Sequence, residues 1–397
     1  MAREVEMAEV RARFNAGFTR DRYVRFLRDL DSRLPYPTDF RVAETPLFLS
    51  EGFVHELTEA AEEIASLLGT EAFRRHAAHA IPAGKTAPGE DAHPQLLQID
   101  FGVACDDDGQ FVPQLIELQG FPSLYCYQHY FDQVLRDHFD IPGSLSAYSY
   151  GLSRESYLRE MSALIVGDAD PRETVLLEID PKRQKTRIDF AATERLLDVK
   201  TVSVTSVRKR GRQLFYSENG RSMRIRRIYN RVVFDELDKR QPEIDFSFQD
   251  DLDVIWIPHP NWYYRISKHT LPFLKSRFVP ACTLLSELDS LPPDLGAYVL
   301  KPLFSFAGGG VLVDVTESDI RKIEDPSSWI LQRKVCYAPF VPTEDEPSRA
   351  EIRLLCIWKE RPLPVTNLVR MSKGKMMGVD FNKDKTWVGS SIAYCPA

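Results

Sequence analysis

"YVLKPLFSFAGGGVLV", residues 298–313, is the stretch on which the reading of the chain turns. An apolar run ends on Lys301, a proline follows, and then Gly308, Gly309 and Gly310 stand side by side in a chain of 397 residues with only 20 glycines. Consecutive glycines let a backbone bend freely and present unobstructed N–H groups, as a flap over phosphates requires. A lysine at a strand end supplies the matching compact ammonium. The spacing is not that of a Walker loop, where the glycines precede the lysine, and no GxGxxG is present. The alternative is a surface turn after a strand, so the phosphate reading needs a metal site and a second cation elsewhere.

Candidates for both lie outward from the glycines. "LLQIDFGVAC" and "FVPQLIELQG" are apolar runs joined by "DDDGQ" and read as a hairpin. Side chains two apart in a strand share a face, so Glu117 and Gln119 point together, with Asp100 on the neighbouring strand. Two carboxylates and an amide oxygen form a hard, all-oxygen set suited to magnesium held partly by phosphates. The alternative is that Asp100 and Glu117 are solvent-facing members of an alternating hairpin. The three consecutive aspartates read as a solvated turn, since a calcium loop needs alternate positions and a closing glutamate.

Four segments follow from the patterning. Residues 1–95 are mainly helical, with apolar residues at helical spacing in "DRYVRFLRDLDSRL" and in "SEGFVHELTEAAEEIASLLG", where Ser50 is the expected cap and Gly69 the stop. Residues 96–150 carry the hairpin and the aromatic stretch "QGFPSLYCYQHYFDQ", which is either core or the wall of an acceptor pocket. Residues 151–265 alternate strand, helix and strand, the pattern of an α/β unit with a parallel sheet. Residues 266–397 begin with an expected helix, "ISKHTLPFLKSRF", and continue as short strands. The fold class expected is α/β of the α+β kind, with a helical N-terminal segment.

Composition excludes several roles. A formal charge of −7 argues against a polyanion binder. Residues 207–231 hold nine basic side chains and one acidic one, yet no regular interleaving of aromatics for stacking on bases, so a hairpin with a solvated basic face is favoured over a nucleic-acid surface. Six cysteines show no CxxC spacing and read as reduced thiols. With no apolar run of signal or membrane-spanning type, the expected location is cytoplasmic, with neither membrane nor nucleic acid as partner.

"IDFGVACDDDGQFVPQLIELQGFPS" resembles the D…ExN segment of circularly permuted ATP-grasp ligases, the family of glutathionylspermidine synthase and its relatives. "YVLKPLFSFAGGGV" resembles the KP and glycine-rich segment of the same proteins. The order supports the permuted branch, because here the metal-binding strands precede the lysines. "IYNR" near 228, "HPNWYYRISKHTLPFL" and "WILQRKV" add matches, so the likeness spans 98 to about 391. The resemblance implies ATP and Mg2+ as cofactors: Asp100, Glu117 and Gln119 on the metal, Lys268 and Lys301 on phosphates, and Gly308, Gly309 and Gly310 as the flap. It also places Gln332 beside the adenine and the backbone around Lys334 and Val335 at the purine edge. Arg353 and Arg370 are the candidates for gripping an acyl phosphate or a substrate carboxylate.

Two departures qualify the likeness. Gln98 stands where that group has an arginine, and Gln119 where its pattern ends in asparagine. The leading expectation is an ATP- and magnesium-dependent ligase joining a small-molecule or peptide carboxylate to an amine through an acyl phosphate. A protein that keeps the shape as a nucleotide- or partner-binding module without ligation is the second, and a polyanion binder using 207–231 the third. The sequence leaves the acid, the amine and the oligomeric state open.

Overall fold

The computed structural model describes residues 2–305, 309–374, 376–377, 382 and 384–397. The expected hairpin forms from strands Leu96–Cys105 and Phe111–Gln119, and its turn closes when the Asp106 carboxylate accepts the Asp108 and Gln110 amides at 3.1 and 2.8 Å. Both strands belong to a five-stranded antiparallel sheet in the order Gly389–Ser391, Pro362–Ser372, Arg349–Trp358, Leu96–Cys105, Phe111–Gln119. Sequence-distant strands meet because each carries one apolar face. Leu97, Ile99, Phe101 and Val103 join Ile352, Leu354, Val369 and Met371 against Phe53, Leu57, Ala60 and Ile64 of helix Glu51–Leu68. That helix starts at Ser50, whose hydroxyl accepts the Phe53 amide, and stops at Gly69, as its sequence signals.

The opposite face of this sheet is polar yet buried: Gln98, Asp100, Glu351 and Arg353 lie within it. The alternation expected of the hairpin therefore holds, but its polar side is covered by protein rather than by water. A bulge interrupts the hairpin where Asp100 pairs with Glu117 and Phe101 with Leu115, leaving Ile116 as the extra residue.

Strands Ile255–Ile257, Arg227–Asn230, Thr174–Glu178 and Lys200–Ser203 form a parallel sheet in that order, with helix Arg187–Leu197 as one crossover. It is the α/β unit that the alternation of strand and helix implies. Within the unit Arg231 and Asp189 form an ion pair, both buried. Asp189 also accepts the Leu124 and Tyr127 amides at 3.0 and 2.9 Å. It thereby anchors the start of helix Tyr125–His138, the aromatic stretch, whose side chains are core.

A third sheet, Cys282–Leu284, Trp329–Arg333, Tyr298–Pro302, is antiparallel and carries its own small core of Leu285, Leu300, Val315 and Leu331. The helix expected over "ISKHTLPFLKSRF" shrinks to a 3-10 turn at Lys268–Phe273. Pro272 lies inside it and lacks the N–H that an α-helix would need there. The basic stretch forms a small sheet of Arg208–Arg210, Gln213–Glu218 and Arg221–Ile225. Several of its charges are met locally: Lys209 by Asp250 at 2.6 Å, Arg212 by Asp253 at 2.9 Å, and Arg226 by Glu173 at 2.9 Å. Among the described residues no helix is long and apolar enough to cross a membrane.

Gly120 joins the first sheet to the turn that carries Lys268. Its amide donates to Ile266 O at 2.8 Å, and a Cβ there would sit 2.2 Å from Trp262 O. Gly120→Ala is expected to force that backbone contact apart and to lower stability by about 1–3 kcal/mol, an overpacking cost readable by urea denaturation.

Candidate functional site

Lys301 is delivered by the end of strand Tyr298–Pro302 to a buried position facing the large sheet. Its ammonium donates to Gln332 Oε1 at 2.6 Å and to Ile116 O at 3.0 Å. The second bond uses the bulge, since Ile116 is the residue left unpaired by the hairpin. Gln332 donates in turn to Leu115 O at 3.3 Å. Its side chain is thus committed to orienting the lysine. Burial first, then the nearby Lys268 ammonium, lowers the Lys301 pKa, while Glu117 opposes the shift.

Lys268 enters from the 3-10 turn and donates to Ser305 O at 2.7 Å, with its Nζ 3.9 Å from Glu117 Oε2. On the sheet itself, register sets Asp100 between Glu117 on one side and Arg353 on the other. Arg353 grips Asp100 with two bonds, Nε to Oδ1 at 2.7 Å and Nη2 to Oδ2 at 2.6 Å. It reaches Gln98 Oε1 at 3.3 Å and lies 3.8 Å from Glu117 Oε1. Arg370, one strand further, spans Asp100 Oδ2 at 3.2 Å and Glu351 Oε2 at 2.6 Å. Tyr337 donates its hydroxyl to Glu351 Oε1. Burial would strip the charge from Arg370, but Glu351, Asp100 and Glu117 outweigh it and raise its pKa.

Four cations, Lys268, Lys301, Arg353 and Arg370, therefore surround three carboxylates, Asp100, Glu117 and Glu351. Glu117 lies at their focus: burial pushes its pKa up, yet Lys268, Arg353, Lys301 and Arg370 together hold it down at about 2. Beside it a small cavity is lined by Gln119, Phe121, Tyr263, Lys268, Phe304 and Ser305. Four cations against three carboxylates leave the cluster with one positive charge in excess.

Of the residues singled out from the sequence, Asp100, Glu117, Gln119, Lys268, Lys301, Gln332, Arg353 and Arg370 come together. Gly308 lies outside the described residues. Gly309 and Gly310 are exposed and turn the chain back, so that Leu312 pairs with Leu300; Gly310 has φ +74° and packs on Pro302. Lys334 donates from its amide to Ala297 O at 2.8 Å, and Val335 packs over Gly102, the residue that pairs with Glu351. Sequence reasoning missed Glu351, Tyr337 and the Ile116 carbonyl. Glu351 was findable, because it is two residues before Arg353 and shares its face.

As a metal site the cluster offers fewer oxygens than the sequence suggests. Among the described residues no group of three or more His, Cys, Asp or Glu side chains has the arrangement to hold a metal ion. Asp100 gives both oxygens to Arg353 and Glu117 Oε1 accepts from Gln119 Nε2 at 2.6 Å, so Glu117 Oε2 and Gln119 Oε1, a buried acceptor with no hydrogen-bond partner, are the oxygens that remain. One carboxylate and one amide suit a magnesium ion whose other ligands are phosphate oxygens and water.

Comparison with known protein families and with characterised proteins gives no match by sequence. Solved structures do match in fold. A glutathione synthetase-like effector from Globodera pallida, in its apo form, superposes with a TM-score of 0.55 at 10% identity, over 89% of this chain and 89% of that one. The likeness concerns the mixed α/β fold, which the two chains share along most of their length.

Two expectations test the cluster. Arg353→Ala leaves Asp100 buried with Arg370 as its remaining strong partner, and is expected to cost about 3–5 kcal/mol in chemical denaturation. An unfolded glutamate titrates near ~4.3, above the folded value of Glu117, so as pH falls the unfolded state takes the proton first. The stability Glu117 contributes is fully present above about 4.3 and is lost progressively as pH falls from there through about 2. Unfolding of Glu117→Gln followed between neutral and acid pH should show a shallower loss than the parent; identical slopes would remove Glu117 from the linkage.

Proposed function

We propose that the chain is an ATP- and magnesium-dependent ligase on a circularly permuted ATP-grasp scaffold, joining a carboxylate to an amine or similar nucleophile. The observation that carries the reading is the convergence of Lys268, Lys301, Arg353 and Arg370 on Glu117, from three separate parts of the fold, next to a lined cavity. Such a ligation makes heavy demands on charge. A carboxylate attacks the terminal phosphate, ADP leaves, and a nucleophile then displaces phosphate from the acyl group. Both transition states need negative charge neutralised in a site poor in water, and no protein nucleophile is required.

The residues divide that work. Lys301 is held by Gln332 and the Ile116 carbonyl, so its ammonium is positioned before any ligand arrives, which lowers the cost of binding phosphate. Lys268 sits at the rim, and the backbone of Gly309 and Gly310 can close over the phosphates without a side chain intervening. Arg370 and Arg353 are the anchors for the substrate carboxylate or its acyl phosphate. Magnesium, held by Glu117 and Gln119, would neutralise phosphate charge. Asp100 joins them only after Arg353 releases it. The fold shared with a glutathione synthetase-like effector supports a ligase scaffold.

A second reading is a nucleotide- or partner-binding protein of the same shape without ligation. It is favoured by one observation, the closed bidentate grip of Arg353 on Asp100.

Thermal unfolding with and without millimolar Mg-ATP tests the nucleotide site. A ligand at a hundred times its dissociation constant adds ~2.7 kcal/mol to the folded state. The parent is expected to gain this and Lys301→Ala and Lys268→Ala to lose most of it. A folded parent that shows no gain, confirmed by direct titration, would end the ligase reading and leave of the second only its partner-binding form. Phosphate release that requires an added acid and amine separates the ligase from the binding module.

A further inference from the structure

Two exposed cysteines far apart in sequence flank one backbone pairing at the end of a strand of the large sheet. The segment that leaves strand Trp329–Arg333 runs antiparallel beside strand Leu96–Cys105, where Ala104 pairs with Tyr337 and the Ala338 amide donates to Val103 O at 2.8 Å. Cys105 follows Ala104 and Cys336 precedes Tyr337, so each cysteine is next to that pair in the chain. Directly opposed residues of an antiparallel pair have Cα atoms about 4.5–5.5 Å apart and side chains on the same face. Disulfides span Cα separations of about 4.4–6.8 Å, a range that residues flanking one antiparallel pair can reach.

Exposure singles out the same pair. Cys105 and Cys336 are exposed, Cys126, Cys282 and Cys356 are buried, and Cys395 is partly covered. Oxidants in solution therefore meet these two thiols first. No spacing rule could pair them, with 230 residues between.

We propose that Cys105 and Cys336 are a reversible disulfide site, closed by peroxides and opened by small thiols. One thiolate attacks a peroxide oxygen, breaking the O–O bond, releasing hydroxide and leaving a sulfenic acid. The second thiolate attacks that sulfur, forming the S–S bond and releasing a second hydroxide; with the two thiol protons, the net products are the disulfide and two waters. The bond ties the segment after Trp329–Arg333 to the large sheet. Tyr337, the next residue, bonds Glu351, and Val335 packs over Gly102, so the link fixes the connection between the sheet that carries Lys301 and the sheet that carries Arg353.

The test is covalent and does not depend on nucleotide binding. Protein treated with hydrogen peroxide is unfolded, its free thiols alkylated, and its peptides mapped without reductant. The expected result is a fall from six thiols to four, one peptide containing Cys105 linked to one containing Cys336, and full return on adding dithiothreitol. Cys105→Ser and Cys336→Ser, both at exposed positions, should each keep five thiols free of any internal link. Recovery of Cys105 and Cys336 from oxidised protein as separate alkylated peptides overturns the proposal. So does their recovery as sulfinic or sulfonic acids, or in links between chains.

Discussion

The bidentate pair between Asp100 and Arg353 sits at the centre of a sheet whose other face is packed with aliphatic side chains, and the surrounding structure is arranged to make it tolerable. Moving two charges out of water costs several kcal/mol per ion, and their mutual attraction offsets this only when the geometry is good and the remaining hydrogen-bonding capacity is used. Both conditions are met here. Gln98 takes one Arg353 donor, and Arg370 shares Asp100 and is balanced by Glu351. The network is therefore indivisible in a way a surface cluster is not: each charge is affordable only with the others present.

That constraint reaches into the neighbouring elements. The bulge at Ile116 turns a carbonyl out of the ladder, and Lys301 uses it; without the bulge that oxygen would belong to the hairpin. The three-stranded sheet has to present Lys301 and Gln332 together, which its antiparallel pairing does by setting Val299 opposite Gln332 and Lys301 two residues on. Pro272 keeps the Lys268 segment a short turn, and Gly120 lets that turn approach the sheet closely.

Much of the fold was legible in the chain because local patterns and the final packing agree. Ser50 and Gly69 bound their helix as expected, the 96–119 hairpin forms, and the alternation of strand and helix from 174 onward gives a parallel sheet. The helix expected over 266–278 is the exception, since Pro272 lacks the N–H an α-helix needs there and only the 3-10 turn Lys268–Phe273 forms. The candidate site was legible residue by residue, through a lysine closing an apolar run and carboxylates at alternate positions.

What the sequence by itself determined is the set of charged side chains placed on strand faces that a fold must cover, together with the period-2 and helical patterns that choose those faces. Only the tertiary structure decided which charges meet. Arg353 lies over 250 residues from Asp100, and register across two strands, not proximity in the chain, makes them partners. Arg353 reaches Gln98 from another strand, so a cation lies beside a position that carries none of its own. Likewise Cys105 and Cys336 become neighbours through a single backbone pairing. Long-range pairing is set by which apolar faces pack together, a property of the whole chain that no local window contains.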